Sequence, residues 1–145
     1  MAETQTVAEM STLIAADSLK PPRRVRRPNA QTGRLPKVKV CGYALNSDDL
    51  EAWSKERDLF QDVNALNQRY RAIQTIMCSL PESFCWGIVR SNTEDTYLRC
   101  IVVGSNETKE DLIRAYTPAR AKRVAKVLGK KDEPPKWYYY QENFD

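Results

Sequence analysis

The densest chemistry in the chain is Lys20-Pro-Pro-Arg-Arg-Val-Arg-Arg-Pro28, where Arg23, Arg24, Arg26 and Arg27 crowd four guanidinium groups onto a backbone that proline keeps extended. Clustered guanidinium groups on an extended backbone can follow phosphates or be read by an import receptor. The whole stretch 20–36 holds six basic side chains and no acidic one. A second block, residues 112–131, holds seven basic side chains and again no acidic one. Within it Arg120, Lys122, Arg123 and Lys126 belong to the basic face of an expected helix. The net charge is only +4, but local potential governs encounter with a polyanion, so two acid-free blocks count for more than the total. A solvated linker and an ordinary charged helix surface would carry the same residues, and that alternative stays open.

Trp137, Tyr138, Tyr139 and Tyr140 form an aromatic run on which unpaired bases could stack, although strand alternation lets only two of the four share a face. The competing reading is that one pair completes the core and the other lies at an edge. Thr96-Tyr-Leu-Arg-Cys-Ile-Val-Val103 lacks the glycine and aromatic spacing that marks the third strand of the common RNA-recognition domain.

Catalysis is the least favoured class. Histidine is absent, which removes the commonest general base and metal ligand and the usual partner of a serine or cysteine nucleophile. Cys41, Cys78, Cys85 and Cys100 sit in apolar segments without a C-x-x-C pair, and are expected as reduced core thiols. Asp48 with Asp49 read as helix-capping residues and Glu94 with Asp95 as a hairpin turn. The five glycines are not clustered into a phosphate loop, and nothing in the spacing asks for a cofactor or a metal.

The elements that must position these residues follow from local patterns. Residues 1–36 are expected as a disordered arm, basic from residue 20, with a weakly helical Val7–Ala16 too short to hold alone. Residues 37–141 are expected as one α+β domain, and 142–145 as a short acidic tail. Lys37-Val-Lys-Val-Cys-Gly-Tyr-Ala-Leu45 alternates as a half-buried strand does. Asn46-Ser-Asp-Asp49 caps a helix that begins near Asp48, and poor phase near Leu50 and Trp53 predicts a break around residues 57–61. Leu59, Val63, Leu66, Tyr70, Ile73, Met77 and Leu80 make a heptad seam, which fits a helix packed on a sheet or a dimerising coiled coil.

The segments 84–91 and 96–103 predict a hairpin, Thr108 and Thr117 each begin a helix, and residues 136–141 predict a last strand. With a long first helix and a central hairpin, the order βαββαβ is that of ferredoxin-like folds; without the last strand the domain shrinks to a three-stranded α+β unit.

The sequence therefore predicts a small intracellular module, cytoplasmic or nuclear, since neither an apolar window of membrane length nor a secretory signal is present. Its expected partner is nucleic acid or another polyanion. A protein partner, or a second copy met through the heptad helix or an edge strand, is the alternative.

Overall fold

Asn46 is extended and its side chain accepts a hydrogen bond from the amide of Asp49, while the Asp49 carboxylate accepts one from the amide of Asn46. This reciprocal cap starts the helix where the sequence places it. The computed structural model describes residues 17–130 and 133–141, so Val7–Ala16, Lys131 and the acidic tail lie outside the described residues.

The elements run β1 (Lys39–Leu45), α1 (Ser47–Glu56), α2 (Ala65–Cys78), β2 (Cys85–Arg90), β3 (Tyr97–Ser105), α3 (Lys109–Ala115), α4 (Pro118–Leu128) and β4 (Lys136–Tyr139). The result is a small α+β domain with four helices and one four-stranded antiparallel sheet among the described residues. The strands lie in the order β2-β3-β1-β4. The expected strand at 136–141 is thus present over Lys136–Tyr139.

The expected long first helix is two helices. Asp58 (φ 52°) and Phe60 (φ 59°) take left-handed backbone between α1 and α2, which no α-helix continues through. Arg57 fastens the break to α4: its guanidinium stacks 4.3 Å from the centroid of Trp53 and donates to the Val127 carbonyl at 3.1 Å. The indole of Trp53 donates to the same carbonyl at 3.0 Å.

The break also resets the heptad seam. Ala72, Ile73 and Ile76 carry the buried face of α2, whereas Leu66 and Tyr70 are 66% and 58% exposed. With the helix starting anew at Ala65, packing is decided by its contact with α1 and the sheet, and the seam positions Leu66 and Tyr70 in its first turns point outward.

Both faces of the sheet are covered, by different means. On one face the helices bury Tyr43, Leu45, Ile101 and Val103 with Leu50, Trp53, Ile76 and Val124. On the other, Val38, Val40, Val89, Cys100, Val102 and Tyr138 pack on one another because the sheet curls. The chain after β4 leaves β1 for β2: the Tyr140 amide donates to Val38 and the Gln141 amide to Ile88, both at 2.9 Å, and Val89 bridges Tyr140 antiparallel. Asn92, just past β2, donates to the Trp137 carbonyl at 2.9 Å. The two outer strands therefore meet across a seam, which reduces the free edge on which another strand can add.

Candidate polyanion interface

Proline and arginine dominate residues 20–28, with Val25 the one aliphatic side chain outside the prolines, yet from Asp17 onward this segment lies along the domain. The Leu19 amide donates to the Trp137 carbonyl at 3.0 Å, and the Trp137 amide donates to Ser18 Oγ at 3.0 Å. Asp17 pairs with the Lys136 ammonium. Further along, the Tyr116 hydroxyl donates to the Pro22 carbonyl at 2.6 Å and the Arg26 amide to the Asn106 carbonyl at 2.9 Å. The chain then reverses: Asn29 Oδ1 accepts from the amides of Gln31 and Thr32, the Asn29 amide donates to Arg34, and Gly33 turns at φ 70°. The reversal brings the Arg26 guanidinium to the Pro36 carbonyl at 3.1 Å.

This strap leads to a cluster that the charge blocks alone did not outline. Lys37 and Lys39 lie two residues apart, so both project from the same side of the extended chain entering β1. Their ammonium groups lie 5.6 and 5.9 Å from the centroid of the Tyr139 ring, within cation–π reach. Lys39 is the cross-strand neighbour of Tyr139, and its ammonium also donates to the Lys20 carbonyl at 3.4 Å. Lys20, Arg26, Lys37, Lys39 and Tyr139 thus gather at one end of the sheet. The clue available in the sequence was the polar–apolar alternation of Lys37-Val-Lys-Val40, which places two lysines on one side directly after the basic block.

The ion pairs of the domain lie elsewhere. Among the described residues they engage Arg57, Arg69, Arg90, Arg114, Lys130 and Lys136. Lys20, Arg23, Arg24, Arg27, Lys37, Lys39, Lys122, Arg123 and Lys126 form none among the described residues.

On α4 the apolar face is as the wheel predicts, with Val124, Ala125 and Leu128 buried and Lys122, Arg123 and Lys126 exposed. Arg120 departs from that set. Its guanidinium lies 3.9 Å from the centroid of Phe84 and donates to the Val103 carbonyl, to Ser83 Oγ and to the Ser83 carbonyl at 2.9–3.2 Å. It joins α4 to β3 and the loop before β2, and leaves little of the group for a ligand. Replacement by lysine, which cannot reproduce the fork, is expected to destabilise the fold by about 1–2 kcal/mol in a thermal melt. The same variant should leave polyanion affinity nearly unchanged. The arm approaches this helix at its start, where burial raises the Tyr116 hydroxyl pKa and the nearby Arg23 guanidinium opposes the rise. From the first residue of α4, Lys122 and Lys126 lie about 6 and 12 Å along the axis.

The aromatic run divides in an unexpected way. Trp137 and Tyr138 point to opposite faces and are both buried, at 2% and 7% exposure, because both faces of the sheet are covered. Trp137 packs with Cys41 and Ala115, and Tyr138 with Val40 and Cys100 on the curled face. Tyr140 closes over Gly87, so close that a Cβ there would lie 2.5 Å from its ring. Only Tyr139 presents its ring outward, at 37% exposure.

Two of the four cysteines, Cys41 and Cys100, are core thiols as expected, whereas Cys78 and Cys85 are exposed: α2 turns Cys78 outward at its last turn, and Cys85 opens the outer strand β2. Burial pushes the Cys41 thiol up to about 12 and Cys100 well above its ordinary value. Burial, with Asp111 as the largest charge effect, also raises Cys85. Native protein treated with iodoacetamide near neutral pH is therefore expected to alkylate at Cys78 first, with Cys41 and Cys100 protected, as read by peptide mass mapping. The raised Cys41 value means that the folded state binds a proton the unfolded chain releases above 9.0, so this contribution to stability is present below 9.0 and is lost as pH rises toward about 12.

A cleft of about 240 Å³ lies where β2 begins and β3 ends, lined by Ser83, Cys85, Trp86, Asp111, Arg114 and Arg120 among others. Its guanidinium groups are already engaged, Arg114 with Asp111 at 3.4 Å and Arg120 as above. Among the described residues no group of three or more carboxylates and thiols is placed to hold a metal ion, and no helix is long and apolar enough to cross a membrane. No protein-family model matches the chain, and no curated protein or solved structure matches it either.

Proposed function

We propose that this domain is a non-enzymatic binding module whose strap and β1–β4 corner present a basic surface to nucleic acid or a related polyanion. The observation that carries the reading is the pairing pattern. Six cations elsewhere hold carboxylates, while Lys20, Arg23, Arg24 and Arg27 of the strap, with Lys37 and Lys39, hold none among the described residues. Desolvated carboxylate pairs would neutralise such groups; open ones keep a positive potential that steers a phosphate chain. The exposed cations of α4 extend this surface only if a ligand is long enough to pass Tyr116. The absence of histidine and the raised thiols of Cys41, Cys85 and Cys100 argue against nucleophilic or general-base chemistry at those positions.

The order of elements, with two helical crossovers flanking a hairpin and strand order β2-β3-β1-β4, supports the ferredoxin-like reading of the architecture. The seam between β2 and the end of β4 is an added feature that takes the curled face out of use as a binding platform.

A titration with fluorescent oligonucleotide at low salt tests the proposal. Measurable affinity that falls linearly in log–log form as salt rises is expected; binding that is undetectable at low salt, or indifferent to salt, removes it. A second reading rests on Leu66 and Tyr70, one helical turn apart on α2 and both exposed, as an apolar contact for a protein partner or a second copy. Light scattering across a wide concentration range tests the self-association half: a dimer abolished by Leu66→Glu supports it, and a strict monomer removes it.

A further inference from the structure

We propose that the Lys37–Lys39–Tyr139 corner is a binding site for single-stranded nucleic acid, in which one unpaired base stacks on the Tyr139 ring and the two ammonium groups hold the flanking phosphates. The inference rests on the polyanion reading and narrows it to one class of ligand.

Tyr139 and Trp137 stand on the same side of β4, two residues apart, yet Trp137 is buried and Tyr139 is not. Leu19, Leu112 and Ala115 cover the indole, and that cover stops short of the tyrosine. Tyr139, at the limit of this helical layer, stays 37% exposed, with the two lysine side chains beside its ring. Beside it, Lys37 and Lys39 are spaced by about 6.6 Å of extended chain, comparable to one step along a stretched nucleotide strand. Each ammonium lies close enough to the ring to favour a π-face, and each sits on a four-carbon stem that can rotate aside for an incoming base.

The corner is also held in place. Lys39 is tethered by its backbone amide to Asn106 Oδ1 at 3.0 Å, while its exposed ammonium makes only a 3.4 Å contact with the Lys20 carbonyl that a phosphate can replace. Arg26 is drawn to Pro36, one residue before Lys37, which adds a further guanidinium beside the two lysines.

The ring decides between ligands. A duplex offers phosphates, but its base faces are stacked on one another, so Tyr139 would gain nothing from it. An acidic peptide would likewise use the lysines alone. A single strand offers charge and an open π-face together, and stacking tolerates any base because each has such a face.

The test compares three probes on the full chain at one low salt concentration: a short oligodeoxythymidylate, an abasic deoxyribose-phosphate strand of the same length, and a blunt duplex with the same number of phosphates. The oligodeoxythymidylate is expected to bind at least about 5-fold more tightly than the abasic strand, and more tightly than the duplex. Tyr139→Ala should remove the preference over the abasic strand without altering the salt slope, while Tyr139→Phe keeps it. Tyr139→Leu, which retains bulk without a π-face, serves in place of alanine if that variant unfolds. Equal affinity for the oligodeoxythymidylate and either of the other probes overturns the site, as does a preference that survives loss of the ring. If the three probes bind equally and with a steep salt dependence, the site fails and the polyanion reading stands; if none binds, both fall.

Discussion

A variant with Arg23, Arg24, Arg27, Lys37 and Lys39 replaced by glutamine is expected to lose most of the salt dependence of nucleic-acid binding. Each phosphate contact on a single strand contributes about 0.7 to the slope of log K against log salt. Five contacts then account for about 3.5, so between 50 and 200 mM salt the affinity of the unaltered protein should fall about 100-fold further than that of the variant. The fold should be little affected, because none of the five forms an ion pair among the described residues, and the contact of the Lys39 ammonium with the Lys20 carbonyl is long, at 3.4 Å, and exposed. Arg26 is left in place since it bonds the Pro36 carbonyl, and its removal would loosen the strap as well as discharge it. Matching far-ultraviolet spectra and melting temperatures would verify that only charge was changed. Parallel salt slopes for the two proteins would mean that these side chains do not meet phosphate.

The second large effect concerns stability. Gly104 lies in β3 where α3 crosses it, and a Cβ at that position would stand 2.2 Å from the amide nitrogen of Ala115 and 2.4 Å from the carbonyl oxygen of Asp111. Both are backbone atoms of a helix, so relief requires α3 to move as a body away from the sheet, exposing Cys41, Leu112 and Trp137. Gly104→Ala is therefore expected to cost at least about 3 kcal/mol, at the upper end of overpacking effects. In a domain of ordinary stability that is a large share of the total. Gly33→Ala is the control. Gly33, unlike Gly104, has positive φ, and nothing lies within 4 Å of its would-be Cβ, so only backbone strain of about 1–2 kcal/mol applies. Urea denaturation of both variants checks the contrast, and a Gly104→Ala protein as stable as the Gly33→Ala protein would show that the helix yields more easily than its packing implies.

Loss of α3 packing would reach the Lys37–Lys39–Tyr139 corner too. Trp137 anchors the strap through Leu19 and Ser18, and β4 carries Tyr139 two residues on. The basic surface is thus supported by the smallest of the three apolar clusters.

What the sequence determined by itself is what depends on neighbours along the chain. The Asn46 cap, the break after Arg57, the β2–β3 hairpin, the Thr108 cap and the left-handed Gly129 that ends α4 all arise from interactions spanning a few residues, and their types and order were legible. The apolar stripe of α4 was legible for the same reason, since period alone assigns a face.

Tertiary structure decided which faces meet what. Leu66 and Tyr70 fit the heptad as well as Ile73, but burial depends on where α2 begins and on how far α1 and the sheet reach. Alternation could not foretell that Trp137 and Tyr138 would both be buried, because a strand's period does not reveal that a sheet has curled onto its own second face. Nor does charge reveal its own use. Arg120 and Arg123 look alike in the chain, and only long-range contact makes the first a clamp on Phe84 and Ser83 while Lys37 and Lys39, outside the basic block, meet the strap at Tyr139. Short-range forces select conformation locally; the partner of a side chain dozens of residues away is chosen only when the chain closes.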